Sequence, residues 1–225
     1  MHKSALELAR EMQAGPEVVE ILDTLEGDKG VRCEVAYMSG LSEGMVRAGN
    51  LFDHMAGLYN MQDVDYLATS GSNGSGIMNP TPGGAWPGFL WYQTELINRG
   101  VPSRYILPIQ GPQRHSREET DALLESAQKM GWGSIVFVSV DYHRPRQILG
   151  CVKKMHQMGW KTRLYFPSIP FDWDAEMLGS QQVASSTGLK EAETDWKVKV
   201  PRYIEKGDLA TIEEFRDYIS WRDGK

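Results

Sequence analysis

The sequence predicts an α/β domain in which helices cover both faces of a mainly parallel sheet, followed by a helical extension. Short apolar runs alternate with longer segments of helical periodicity, as in chains built from strands joined by crossover helices. The central runs are continuously apolar, which is typical of strands buried on both faces. The length of 225 residues is sufficient for one such domain with an appended tail.

The positions of the strands and helices follow from these runs. The predicted strands are residues 31–38, 64–70, 104–109, 134–140 and 162–167. The predicted helices between them are residues 43–59, 88–99, 116–130 and 145–158. Each connection is long enough for a right-handed crossover, so we expect the strands to run parallel.

One helix start carries a specific signal. The sequence SREE at residues 116–119 fits a capping box, in which the Ser116 hydroxyl accepts from the amide of Glu119. The Glu119 carboxylate would then accept from the amide of Ser116. Gly131 is the expected end of this helix, because glycine readily adopts the left-handed conformation that terminates helices.

Two further stretches are predicted to be irregular. Residues 71–88 are dense in glycine, proline, serine and asparagine directly after a strand, so we expect a long loop of the kind that often carries function. Residues 168–190 are also rich in loop-forming residues. We therefore divide the chain into residues 1–170, an α/β domain with amino-terminal helices, and residues 171–225, a loop and helices packed on the same domain.

The carboxyl-terminal part is expected to contain two helices. Gly207 and Asp208 separate them, and Pro201 is expected to kink the first. Aromatic and apolar residues recur through this part, which indicates that it packs on the sheet domain. These residues are Trp196, Tyr203, Ile204, Phe215, Tyr218 and Trp221.

Composition excludes several functional classes. The net charge of -6 argues against duplex nucleic acid as the partner, because phosphate binding needs a basic face. The two cysteines, Cys33 and Cys151, lie in apolar stretches and are expected to be reduced core residues of a cytoplasmic protein. No stretch approaches the roughly 18 apolar residues of a membrane span, so we expect no membrane anchor.

Candidate functional residues collect where the predicted strands end. In an open parallel sheet the carboxyl ends of the strands and the amino ends of the following helices share one crevice, which suits phosphate or carboxylate groups. Four polar segments reach this edge. They are SGLSEG after the first strand, SGSNGSG after the second, QGPQRHSREE after the third and SVDYHRPR after the fourth.

The segment after the second strand is rich in glycine. Gly71 and the glycines that follow allow a ligand to approach the backbone, and Ser70, Ser72 and Asn73 add small polar side chains. The spacing fits neither a Walker loop nor the dinucleotide fingerprint, and no lysine follows. An ordinary glycine-rich turn is the alternative interpretation.

The segment after the third strand has two interpretations. The start of the helix could bind an anion through Ser116 and its free N–H groups, with Arg114 or His115 beside it. Glu118 and Glu119 in the same turn are further candidate ligand-binding residues. Alternatively, these residues only cap the helix, and the basic side chains are solvated.

The segment after the fourth strand is the most suggestive. Ser139 lies near the end of the strand, and His143 and Arg146 are three residues apart around a helix start, so they can share a face. Arg146 or Arg144 could hold a phosphate or carboxylate through two hydrogen bonds. His143 could orient the ligand or transfer a proton as a catalytic residue. A structural histidine is the alternative, and no spaced set of histidines, cysteines or carboxylates indicates a strong metal site.

These segments together resemble a bacterial family of unknown function that includes the SanA, ElyC and YdcF proteins. Gly100-Val101-Pro102 before the third strand matches that family, and the stretch from Gly131 to His143 has its spacing. His143 and Arg146 match its histidine and arginine, and Ser139 stands where the family has threonine.

Further matches lie in the other two segments. Ser116 and Glu118 correspond to the threonine and glutamate that open a helix in the family, and Ser70-Gly71 to the start of its serine-glycine turn. Glu119 departs from the family's asparagine, and Ser72 from its second glycine. The resemblance implies a Rossmann-like three-layer α/β sandwich and a nucleotide-like ligand. S-adenosylmethionine is among the ligands associated with the family.

Three functional hypotheses follow. The first is a protein that binds an anionic, nucleotide-like small molecule at the carboxyl ends of the strands, either as an enzyme or as a binding protein. The second is a non-catalytic module that senses a metabolite or contacts another protein. The third is a metal-dependent phosphoester hydrolase that uses Glu118, Glu119 or Asp141 as metal ligands or bases.

Overall fold

The structure is a computed structural model that describes residues 3–71, 86–111, 113, 115–178 and 185–225. Its centre is a five-stranded parallel sheet in the order β3-β2-β1-β4-β5. The strands are β1 (Cys33–Met38), β2 (Val64–Ser70), β3 (Ile106–Ile109), β4 (Ser134–Val138) and β5 (Arg163–Tyr165).

The helices connect these strands and extend past them at both ends of the chain. The first five are α1 (Ala5–Glu11), α2 (Pro16–Leu25), α3 (Glu43–Ala48), α4 (Leu51–Asn60) and α5 (Phe89–Ile97). The others are α6 (Ser116–Met130), α7 (Arg144–Met158), α8 (Gly188–Thr194), α9 (Val200–Glu205) and α10 (Ile212–Asp223). Short 3₁₀ turns at Ser103–Tyr105 and Asp141–His143 precede β3 and α7, respectively.

The strand order places helices on both faces of the sheet. The chain moves from β1 through β2 to β3 in one direction, then crosses back to β4 and β5. Because parallel crossovers are right-handed, the helices after β1 and β2 lie on one face, and α6 and α7 lie on the other. This confirms the predicted Rossmann-like three-layer α/β sandwich. The direction reverses between β1 and β4, the point where such folds commonly bind ligands.

The predicted helix over 43–59 is interrupted in the structure. α3 ends before Gly49, and α4 begins after Asn50, which has a φ of 47° in the left-handed region. Asparagine adopts this conformation more readily than most residues. The apolar periodicity continues across the break, which is why the sequence pattern predicted one helix.

The carboxyl-terminal part contains more regular structure than predicted. A short antiparallel pair, β6 (Glu176–Leu178) with β7 (Ser185–Thr187), lies within the stretch predicted to be irregular. After α8, a π-helical turn at Asp195–Lys199 continues directly into α9. Pro201 follows this turn and, having no N–H, cannot donate a helical hydrogen bond to the carbonyl of residue 197. Such π-helical turns are frequent at functional sites.

The break between the last two helices lies where it was predicted. α9 ends at Glu205, Gly207 has a φ of 73°, and α10 begins at Ile212. The Tyr218 hydroxyl of α10 accepts from the amide of Leu164 in β5, so α10 covers the outer edge of that strand. Within the described ranges, no helix is long and apolar enough to cross a membrane.

Candidate functional site

A cavity of about 280 Å³ lies between the first turns of α6, the length of α7 and the turn after α9. Ser116 and Arg146 line it near the carboxyl edge of the sheet, and Lys153 and Lys154 line it farther along α7. Tyr203 contributes an aromatic wall. Ser116, from the segment after the third strand, and Arg146, from the segment after the fourth, therefore meet in this cavity.

The start of α6 differs from the predicted capping box. His115, not Ser116, is the residue before the helix, and its ring Nδ1 accepts from the amide of Glu118 at 3.4 Å. The Ser116 hydroxyl instead accepts from Nη1 of Arg146 at 3.2 Å. The capping prediction was wrong because the Glu119 carboxylate turns inward to groups at the end of β1.

Arg146 is held by a buried carboxylate. Its Nε donates to Oδ1 and Oδ2 of Asp195 at 3.0 and 3.1 Å. Asp195 has no exposed surface, and the π-helical turn supplies it from a distant part of the chain. Burial raises the pKa of Asp195, and the charges of Arg146 and Lys199 oppose this shift. The Asp195 carboxylate therefore fixes the orientation of the Arg146 guanidinium. Among the described residues, no acceptor bonds to Nη2 of Arg146.

Four cationic side chains line the cavity, and each is paired with a carboxylate. Arg117 pairs with Asp208, Arg146 with Asp195, Lys153 with Glu214, and Lys154 with both Asp121 and Glu125. An anion in this cavity would share these cations with the carboxylates that already pair with them.

The hydroxyls at the switch point form a short polar chain behind the cavity. Ser39 follows β1 and Ser139 follows β4, and their Oγ atoms lie 3.4 Å apart. Gln147, which lines the cavity, donates from Nε2 to the Ser39 Oγ at 3.3 Å. Ser139, a predicted ligand residue, is buried and does not line the cavity itself. It is connected to the cavity through Ser39, which accepts from Gln147.

Glu119 sits beside the same switch point. Its Oε1 accepts from the Tyr37 hydroxyl at 2.8 Å and from the amide of Gly40. Burial raises the pKa of Glu119, and the Gly40 amide, the Tyr37 hydroxyl and the charge of Arg146 oppose that shift. Glu118 is half-buried, and its carboxylate lies 3.7 Å from the His115 ring.

The turn after β2 packs against the end of β3. The Ser70 hydroxyl donates to Oε1 of Gln113, and the Gly71 amide donates to the carbonyl of Ile109 at 2.8 Å. A Cβ at Gly71 would lie 2.6 Å from that carbonyl oxygen, so only glycine fits here without movement. Neither residue lines the cavity, and Ser72, Asn73 and Arg114 lie outside the described residues.

Arg144 points away from the cavity. Its side chain is buried, and its Nε donates to the carbonyl of Phe166 at 3.1 Å. Its Nη1 lies 3.6 Å from the carboxylates of Asp141 and Glu26. Asp141 also accepts from the amide of Ile169 at 3.1 Å. The geometry therefore gives Arg144 and Asp141 a structural part, joining the end of β4 to the segment after β5.

His143 is buried beside the cavity but does not line it. Its ring packs against Tyr142, with 4.4 Å between the ring centroids, and no hydrogen bond joins it to the described part of the chain. Burial lowers the pKa of His143 well below its usual value, and the nearby positive charges of Arg146 and Lys199 lower it further. The imidazole is therefore neutral at pH 7.

We expect this burial to make the folded state sensitive to acid. Below the ordinary histidine pKa, the unfolded chain takes up a proton that folded His143 does not, so the free energy of unfolding falls. One such group contributes about 1.4 kcal/mol per pH unit. His54 is half-buried, its pKa is also lowered by burial, and it adds to the wild-type slope.

Urea unfolding of wild type and His143→Gln between pH 7.5 and 5.5 measures this effect. The variant should lose less stability on acidification than wild type, and the difference isolates His143 because His54 is present in both. If the free energy of unfolding falls equally with pH in the two proteins, the His143 imidazole is protonated in the folded state as well.

Several site residues were not predicted from the sequence. Asp195 follows Arg146 by 49 residues and lies in a stretch without a local functional signal. Gln147 and Lys153 lie in a predicted helix, but no sequence signal marked them individually. Ser39 lies in one of the four predicted edge segments, but nothing marked it individually. No group of three or more potential metal-ligating side chains occurs in the part of the chain that the structure describes.

Comparison with known proteins gives no assignment: no family model matches the chain, and no curated protein or solved structure matches it. The functional interpretation therefore depends on the geometry and charge of the cavity.

Proposed function

We propose that the chain binds an anionic, nucleotide-like small molecule in the cavity between α6 and α7. The observation that carries this proposal is the Arg146 guanidinium in the cavity wall, which the buried Asp195 carboxylate orients and whose Nη2 has no acceptor among the described residues. A solvated helix surface would need neither a concave site nor a buried carboxylate that orients one of its arginines.

The cationic side chains contribute more to anion binding at this site than the backbone N–H groups at the start of α6. The His115 ring already accepts from the amide of Glu118, and two glutamates in the first turn offset the positive end of the helix dipole. Arg146 keeps Nη2 available, and a guanidinium held in one orientation suits the planar recognition of phosphate or carboxylate.

The size and charge of the cavity narrow the ligand class. A volume of about 280 Å³ is at the lower end of ligand cavities, which favours a single nucleotide or a sugar phosphate over a dinucleotide. S-adenosylmethionine carries a sulfonium and an ammonium against one carboxylate, whereas a phosphate presents only negative charge to the Arg146 guanidinium. The resemblance to the family of SanA, ElyC and YdcF supports a nucleotide-like ligand.

Titration with AMP tests the proposal. We expect wild type to bind AMP and Lys153→Met to bind it about five- to tenfold more weakly, because a hydrogen-bonded cation is lost from the lining. Lys129→Met is the matched control, since Lys129 is exposed on α6 and does not line the cavity. Absence of AMP binding in wild type, or equal losses in both variants, would contradict the proposal.

A binding or sensing role is favoured over catalysis by one observation. His143, the predicted catalytic residue, is buried and does not line the cavity. We therefore expect AMP to be recovered chemically unchanged after prolonged incubation with the protein. Conversion of AMP that disappears in His143→Gln, with the fold retained, would instead establish an enzyme.

A further inference from the structure

Gln147, a residue that lines the cavity, has a buried amide atom without a hydrogen-bond partner among the described residues. The residue is 6% exposed and lines the cavity beside Arg146. Its Nε2 donates to Ser39, while its Oε1 is buried and has no hydrogen-bond partner among the described residues. A buried polar atom without a partner costs free energy, so its presence at a cavity calls for an explanation.

The placement of the amide decides which kind of group would complete it. As placed, Oε1 needs a donor; exchanging the amide oxygen and nitrogen would let the oxygen accept from the Ser39 hydroxyl, and the nitrogen would then need an acceptor. The neighbouring hydroxyls do not resolve this, because Ser39 and Ser139 already contact each other at 3.4 Å. As placed, Oε1 of Gln147 has no donor among the described residues, and a bound group could supply one.

We propose that Gln147 recognises a hydroxyl group of the ligand, with Ser39 holding the other side of the amide. A hydroxyl both donates and accepts, so it satisfies either placement of the amide. The last torsion of glutamine is broad, which allows the amide to turn toward the cavity that the residue lines. This inference rests on the proposed anion site.

The position of Gln147 specifies the ligand class further. Arg146 and Gln147 are consecutive in α7 and both line the cavity, so their Cα atoms are about 3.8 Å apart. Their side chains diverge by about 100° around the helix, so a ligand that uses both must carry its hydroxyl and its anionic group on different atoms within one molecule. The class is therefore a hydroxylated phosphate ester, such as a pentose phosphate, and not a bare inorganic anion.

The test compares two probes and two glutamine variants. Ribose 5-phosphate carries both the phosphate and the hydroxyls, whereas sulfate is a tetrahedral anion without a proton to donate. Gln147→Met removes the amide at nearly constant volume. Gln128→Met makes the same change at an exposed position of α6 outside the cavity. Both affinities and the melting temperature without ligand are measured for each protein.

We expect Gln147→Met to bind ribose 5-phosphate about tenfold more weakly while its affinity for sulfate is unchanged, since one hydrogen bond to the hydroxyl is lost. Its melting temperature should equal or exceed that of wild type, because a buried atom without a partner is removed. Gln128→Met should match wild type in all three measurements.

Other results would overturn the inference in distinguishable ways. If wild type binds both probes but Gln147→Met changes neither affinity, or weakens both equally while melting earlier, then Gln147 has no recognition role and the anion site stands. If wild type binds neither probe, the proposed function fails together with this inference.

Discussion

Replacing Arg146 with alanine should lower the free energy of unfolding by about 3 kcal/mol and abolish anion binding. The substitution leaves the Asp195 carboxylate buried without the two bonds from Nε, and an uncompensated buried charge is costly. Lys199 lies 3.7 Å from the same carboxylate and limits the loss. Urea unfolding and AMP titration measure the two effects.

The pH dependence of Arg146→Ala provides an internal check. Without the guanidinium, the already raised pKa of Asp195 rises further, so the folded variant binds a proton that the unfolded chain does not bind. Its stability therefore increases relative to wild type as the pH falls from 8 toward 5. A penalty that stays constant over this range would show that Asp195 is not the cause.

A double variant separates stability from binding. Arg146→Met combined with Asp195→Leu removes both charges, and exchanging a buried ion pair for apolar residues is often neutral for stability. We expect this protein to recover most of the stability lost in Arg146→Ala while binding AMP no better than that variant. Recovery of AMP affinity in the double variant would contradict a role for the guanidinium in the site.

Replacing Asp28 with alanine should cost about 3–5 kcal/mol, a second large effect, because it breaks a buried ion pair at the edge of the sheet. Oδ2 of Asp28 accepts from the amide of Phe166 and from Nη1 of Arg222, both at 2.9 Å. Nη1 of Arg222 also donates to the carbonyl of Leu164 at 3.0 Å. Together with Tyr218, this pair satisfies backbone groups at the outer edge of β5.

An exposed ion pair provides the control. Asp23 pairs with Arg10, and both side chains are more than half exposed, so Asp23→Ala should change stability by less than about 1 kcal/mol. Urea unfolding and size-exclusion chromatography should show that Asp28→Ala is less stable and associates more readily, since an uncovered strand edge pairs with other chains. Equal midpoints for the two variants would show that α10 does not protect this edge.

The strands and the longest helices could be predicted because several local signals agree at their boundaries. β2 and α6 have the predicted bounds, and α6 ends at Gly131, which has a φ of 71°. The pair of β6 and β7 was not predicted, because each strand has only three residues and too few positions to show alternation.

The site could be predicted only in part because helix geometry separates near neighbours. Arg144 and Arg146 were both predicted to bind the ligand, but residues two apart on a helix point about 200° apart. Packing against Asp141 and Glu26 determines that Arg144 faces inward, and Arg146 then faces the cavity. Asp195 reaches Arg146 only through the folding of the tail, a long-range contact that sequence spacing does not encode.

The most direct test of the anion site is a calorimetric titration of the wild-type protein with AMP and with adenosine, which differ only in the phosphate. We predict that AMP binds at least about tenfold more tightly and that the difference narrows as ionic strength rises, because salt screens the lining charges. Equal affinity for the two compounds, or binding of neither, would contradict the account.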